Sequence, residues 1–216
     1  MLLRWKLTKM RETIQVGEDV QIYDLAVLLG EATKVSAGSP GYLTIVSPWI
    51  SNVAYYLGSS GLTVGIPAIA FGRRDVVRLL DVIEYLQQDP RSQVRLATLK
   101  PSPNKYSGDV IQQVWELRFL LEACERGAKI YFYSSERDIR KIMHPKFLLT
   151  SLGVVFGSFN FTKSGRYWNI EDGNYSSTLS PVYFEKKERV EDIISKCKEA
   201  TFDMLRSLLS EFERRT

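Results

Sequence analysis

Short apolar, β-branched runs alternate along this chain with longer stretches of helical periodicity, and that alternation constrains the fold more than any other feature. Leu43 to Val46, Val94 to Leu99 and Ala128 to Tyr133 have the length and composition of strands. Helical spacing recurs between them: Ile22, Leu25, Ala26 and Leu29 within residues 19–33, then Val76, Val77, Leu80, Ile83 and Leu86, then Val114, Leu117, Leu121 and Cys124 within 109–126. Asp75 is placed to cap the second helix, Asp89-Pro90 to stop it, and Gly127 to end the third. Strand, helix, strand, helix, strand predicts an α/β layered sheet flanked by helices. The 216 residues suit one domain, 1–216.

Further along, Lys146 to Leu149 and Val154 to Phe156 read as two more strands. Residues 51–72, broken by Gly58-Ser59-Ser60-Gly61 and Gly65-Ile66-Pro67, read as a loop over the site or as a core segment broken by turns. The segment from Glu185 to Arg215 reads as one long C-terminal amphipathic helix. Its stripe is Val190, Ile193, Ile194, Cys197, Leu205, Leu208, Leu209 and Phe212, suited to packing on the domain's own sheet or on a second subunit.

Composition narrows the chemistry. Hydrophobic residues make up 44%, which argues against global disorder. A net charge of +4 permits a polyanionic partner without requiring one. The two cysteines, Cys124 and Cys197, fall in helical patterns and do not suggest a disulfide framework. With one histidine and no Cys/His cluster, the usual zinc site is not expected, and neither is a cofactor. Met1-Leu2-Leu3-Arg4-Trp5-Lys6 has no apolar leader core, and no run of about 20 apolar residues suggests a membrane span. A cytoplasmic, reducing location is the expectation.

The single histidine, His144, opens the stretch that carries chemistry. His144-Pro145-Lys146 is followed by Gly157-Ser158-Phe159-Asn160. On a strand, His144 and Lys146 point the same way. An imidazole can attack phosphorus or protonate a leaving oxygen near neutral pH, while Lys146, Ser158 and Asn160 can donate to phosphate oxygens.

This pattern resembles the phospholipase D superfamily signature, H-x-K-x4-D followed by G-S-x-N. His144, Lys146, Gly157, Ser158 and Asn160 match; the Asp position is Ser151, a departure at a residue read in the family as local support. The continuation Asn169-Ile170-Glu171 is similar to the single-motif nuclease-like branch, where a Glu in the position of Glu171 orients a histidine. Tyr42 to Val46 running into Ser47-Pro48-Trp49-Ile50 resembles an early strand of the family fold. The resemblance covers roughly residues 40–180. It implies a layered mixed sheet, metal-independent phosphodiester cleavage through a phosphohistidine, and two histidines per site. With one histidine per chain, the second must come from another subunit, so the resemblance implies a homodimer sharing its site. DNA or RNA is the implied substrate, with Arg73, Arg74, Lys105, Lys163 and Arg166 as backbone contacts and Tyr167 and Trp168 as stacking candidates. Two alternatives stand beside this: a non-catalytic nucleic-acid-binding or scaffolding subunit, and a hydrolase of phospholipids or other small phosphodiesters.

Overall fold

The computed structural model describes residues 14–15, 20–56, 76–102, 110–133, 146–158, 160–162 and 173–214. Strands are β1 (Ile14–Gln15), β2 (Tyr42–Val46), β3 (Ala54–Tyr56), β4 (Val76–Arg78), β5 (Gln93–Leu99), β6 (Lys129–Tyr133), β7 (Lys146–Thr150), β8 (Gly153–Gly157), β9 (Gly173–Ser177) and β10 (Cys197–Ala200). Helices are α1 (Val20–Ser36), α2 (Leu79–Leu86), α3 (Val110–Glu125), α4 (Pro181–Ser195) and α5 (Phe202–Glu213). Among the described residues, one eight-stranded sheet has the order β1-β9-β8-β7-β2-β5-β6-β10, and β3 and β4 form a separate pair.

The large sheet is mixed, as expected. β2, β5 and β6 run parallel, joined by helical crossovers, whereas β7, β8, β9 and β1 extend antiparallel from β2. The parallel strands are buried on both faces and read as nearly continuous apolar runs. Period-two alternation sends Leu43, Ile45, Leu96, Ile130, Phe132, Leu148 and Val155 to one core, shared with α1, α2 and α3. Val46, Ala97, Tyr133, Phe147, Leu149 and Val154 go to a second core, closed by Tyr183, Val190, Ile193 and Ile194 of α4.

Two expectations are corrected. The helix expected to follow an Asp75 cap begins at Leu79, because Val76–Arg78 pairs instead with β3. Its first turn is closed by Asp81, which accepts from the Arg78 backbone N–H at 2.8 Å.

The single helix expected over 185–215 is two helices separated by an edge strand. Residues Cys197–Ala200 pair antiparallel with β6, from Cys197 opposite Tyr133 to Ala200 opposite Ile130. Thr201 then caps α5 by accepting from the Met204 N–H at 3.3 Å. The strand carries the chain from one face of the sheet to the other. Val190, Ile193 and Ile194 therefore pack in the second core, while Leu205 joins the first and Leu209 and Phe212 pack on Val114 and Leu117 of α3. The stripe belongs to the protein's own core. An Arg95–Glu191 ion pair, with Arg95 Nη1 to Glu191 Oε2 at 2.8 Å, ties α4 to β5, and Arg95 also donates to Thr44 Oγ1 and the Tyr42 hydroxyl.

Candidate active site at the carboxyl edge of the sheet

In open α/β sheets the crevice beyond the carboxyl ends of parallel strands is where ligands are bound, above all where strand order or direction switches. Here that switch lies at β2, parallel to β5 on one side and antiparallel to β7 on the other. The first residue of β7 is Lys146. It faces Gly157, the last residue of β8, and so lies at the carboxyl edge of β2 with Ser158 and Asn160 just past the end of β8. Antiparallel pairing thus unites two sequence fragments that are separated along the chain.

Lys146 is only 7% exposed, and alternation puts its stem on the same face as the buried Leu148. A lysine is almost never buried without a use for its charge, because removing an ammonium from water is costly. Ser158 is exposed and Asn160 half-buried. Asn160 Oδ1 itself is buried, with no hydrogen-bond partner among the described residues. A buried acceptor left unpaired costs about 1–3 kcal/mol. Oδ1 can take only a donor, so it is the Asn160 Nδ2 amide that can reach a phosphate oxygen.

The motif segment is locked to β2 by a hydroxyl that the sequence reading treated only as part of a strand end. Ser47 Oγ accepts from the Phe161 N–H at 3.2 Å and donates to the Trp49 carbonyl at 2.8 Å. The Ser51 N–H donates to the Phe161 carbonyl at 2.8 Å, and Ile50 bridges Phe161 in parallel register. Thr98 Oγ1 and the Leu99 N–H both donate to the Pro48 carbonyl, at 2.9 and 3.4 Å. Phe161 is fully buried. The backbone on either side of Asn160's successor is therefore anchored, and Asn160 is presented from a fixed frame.

The far end of β7 explains the departure from the motif. Ser151, in the β7–β8 turn, is bound to Glu31 of α1, a fully buried carboxylate. Glu31 accepts from the Ser151 N–H at 2.7 Å, the Ser151 hydroxyl, the Tyr42 N–H at 3.0 Å and Lys34 Nζ at 3.4 Å. Lys34 also donates to Ser151 Oγ. A carboxylate is present at the turn after all, but it comes from a helix instead of the strand. Glu31 and Lys34 escaped the sequence reading because a Glu between Leu28 and Ala32 on an amphipathic helix looks like any other helical charge.

Of the sequence-derived site residues, Lys146, Ser158 and Asn160 are brought to one edge. His144, Glu171, Arg73, Arg74, Lys105, Lys163 and Arg166 lie outside the described residues, as do Tyr167, Trp168 and most of the 51–72 segment, whose described part includes β3. Two further exposed side chains stand at this edge without having been singled out: Trp49 after β2 and Lys100 after β5. Neither cysteine competes as a nucleophile. Burial raises both thiol pKa values, that of Cys197 to about 11, so each stays protonated at neutral pH. Among the described residues, no group of three or more His, Cys, Asp or Glu side chains is positioned to hold a metal, and no helix is long and apolar enough to cross a membrane.

No protein-family model and no curated protein sequence matches the chain. Among solved structures, the chain is similar to Nuc, a phospholipase D family member from Salmonella typhimurium, at 12% identity, covering 82% of this chain and 90% of that one with a TM-score of 0.49. It is similar to NucT from Helicobacter pylori at 11% identity, covering 88% and 98% with a TM-score of 0.47. A third likeness, at 13% identity and a TM-score of 0.44, is to TrmBL2, an archaeal chromatin protein with a novel mode of DNA binding, over 92% of this chain and 59% of that one. These are likenesses of overall shape, and the chemistry of the site rests on its own residues.

Proposed function

We propose that this chain is a phospholipase D-type phosphodiesterase that cleaves nucleic acid without a metal, through a phosphohistidine, in a site shared by two copies of the chain. The observation that carries the reading is the edge itself. A buried lysine opens β7 at the switch point of the sheet, with Ser158 and Asn160 beside it on a segment pinned to β2 through Ser47.

In this reading, imidazole nitrogen of one His144 attacks phosphorus, forming a P–N bond as the P–O bond to the leaving group breaks. The protonated His144 of the second subunit gives its proton to the leaving oxygen. Now neutral, that imidazole takes a proton from water. The water oxygen attacks phosphorus, the P–N bond breaks and the first imidazole is regenerated. Lys146, Ser158 and Asn160 donate to the nonbridging oxygens and offset the charge that builds there. Glu171 accepts from the His144 ring N–H and holds the useful tautomer. Arg73, Arg74, Lys105, Lys163 and Arg166 steer the phosphate backbone.

The Glu31–Ser151 contact supports catalysis over a purely binding role, because the missing motif Asp leaves no gap in the support of the β7–β8 turn. The test is cleavage of labelled single-stranded DNA, duplex DNA and RNA in excess EDTA, wild type beside His144→Ala. Cleavage by the wild type that disappears in the variant is expected. A folded wild type that cleaves none of the three contradicts the reading. An active, stable monomer in sedimentation contradicts the shared site.

A further inference from the structure

We propose that Trp49 and Lys100 form a nucleotide subsite beside the motif, Trp49 stacking on one base and Lys100 contacting an adjacent phosphate. The proposal rests on the nuclease reading and specifies how that site holds a single strand. Trp49 is 45% exposed although its neighbour Ile50 is 1% exposed and Pro48 is buried. A single exposed tryptophan is unremarkable on a protein surface. Three features set this one apart.

Its backbone is tied to the motif. The Trp49 carbonyl accepts from the Ser47 hydroxyl that also holds the Phe161 N–H, so Trp49 and Asn160 are fixed to one frame. None of the other exposed large hydrophobics (Ile111, Trp115, Leu179 and Phe184) belongs to the β2 end or to the motif segment.

A cation accompanies it. The Leu99 N–H donates to the Pro48 carbonyl at 3.4 Å, so Trp49 and Lys100 each follow one member of a backbone-bonded pair just past the ends of adjacent parallel strands. Lys100 is exposed. An aromatic face beside a lysine is the pairing that binds single-stranded nucleic acid without reading its sequence, because every base has a π-face and every nucleotide a phosphate.

The platform is also prepaid in entropy. Main-chain bonds at Ser47, Pro48 and Ser51 hold the backbone on both sides of Trp49, and an indole has few rotatable bonds left to freeze on binding.

The test measures binding of a labelled thymidine oligonucleotide and of an abasic oligonucleotide of equal length, in excess EDTA, to full-length protein carrying His144→Ala so that the probe survives. Trp49→Ala added to that background is expected to weaken the thymidine probe about 10- to 100-fold and to leave the abasic probe unchanged, with Trp49→Phe retaining most of the affinity. Lys100→Ala is expected to weaken both probes alike and to reduce the slope of log affinity against log salt by about 0.7. Unchanged thymidine binding in Trp49→Ala, or an equal loss on both probes, overturns the subsite while the nuclease reading stands. A parent that binds neither probe removes both.

Discussion

The two ends of strand β7 are built on opposite principles. At its start, Lys146 is buried at an edge where Asn160 Oδ1 has no partner among the described residues and Ser158, Trp49 and Lys100 are exposed. At its finish, Ser151 and Glu31 satisfy one another, with Lys34 and the Tyr42 N–H completing the set. Five residues separate an end that holds a buried acceptor without a partner among the described residues and three exposed side chains from an end where Ser151 and Glu31 bond one another. The closed end gives the hairpin a fixed register, and that register decides whether Lys146 and Ser158 meet.

The sharpest way to break this contrast is to exchange the two costs. Lys146→Met, which keeps the buried stem and removes the ammonium, is expected to lower cleavage about a hundred- to a thousand-fold with a smaller change in the urea midpoint than Glu31→Ala produces. A large loss of stability with little loss of turnover per folded molecule would make Lys146 a structural residue. Glu31→Ala is expected to do the reverse, costing about 3–4 kcal/mol in urea unfolding because it strands the donors of Ser151, Tyr42 and Lys34. Turnover per folded molecule should survive.

A second buried carboxylate sharpens the point. Glu116 on α3 is 5% exposed, and among the described residues it accepts a side-chain hydrogen bond from Gln112 at 3.1 Å, against the set of donors around Glu31. Burial raises its pKa from 4.5 to about 7, with the Gln112 bond pulling weakly the other way. The folded protein therefore holds a proton that the unfolded chain has already lost. This contribution to stability is fully present below pH 4.5, declines as pH rises from 4.5 to about 7 and is lost above that. The decline is on the order of 3 kcal/mol. Glu116→Gln should flatten that part of the stability–pH profile. An unchanged profile would show that the Glu116 carboxyl is not held away from water.

The smallest effect concerns the motif itself. Ser151→Asp, which supplies the Asp of the motif that the sequence resembles, is expected to destabilise by roughly 1–2 kcal/mol, because it sets a second carboxylate against Glu31. Adding Glu31→Gln should recover much of the loss, a non-additive pair measurable by a double-mutant cycle. Additive effects would mean that the two residues do not share one support.

The layered α/β sheet and the β7–β8 hairpin were legible because both are written in local periodicity, strands at two and helices near 3.6. What escaped was decided across distance. Cys197–Ala200 carries two exposed charged residues in a helical pattern and becomes a strand only because β6 offers an edge. Val76–Arg78 is a strand because β3 lies beside it. Ser151 finds its carboxylate 120 residues upstream, a pairing that no motif spacing encodes. At the candidate site, Lys146, Ser158 and Asn160 were legible as chemistry, whereas the Ser47 lock and the position of Trp49 and Lys100 at the same edge were not, since these come from the ends of neighbouring strands. One local signal did mark the end of the strand insertion: Thr201 ahead of Asp203 has the form of a helix start.

The most direct test of the central claim is covalent capture. The protein is mixed rapidly with oligonucleotide in excess EDTA, quenched in alkali and digested, and its peptides are weighed. The account predicts an acid-labile, alkali-stable nucleotidyl adduct on the peptide bearing His144, absent from His144→Ala. Cleavage that proceeds in EDTA with no adduct on that peptide, or that persists in His144→Ala, would contradict it.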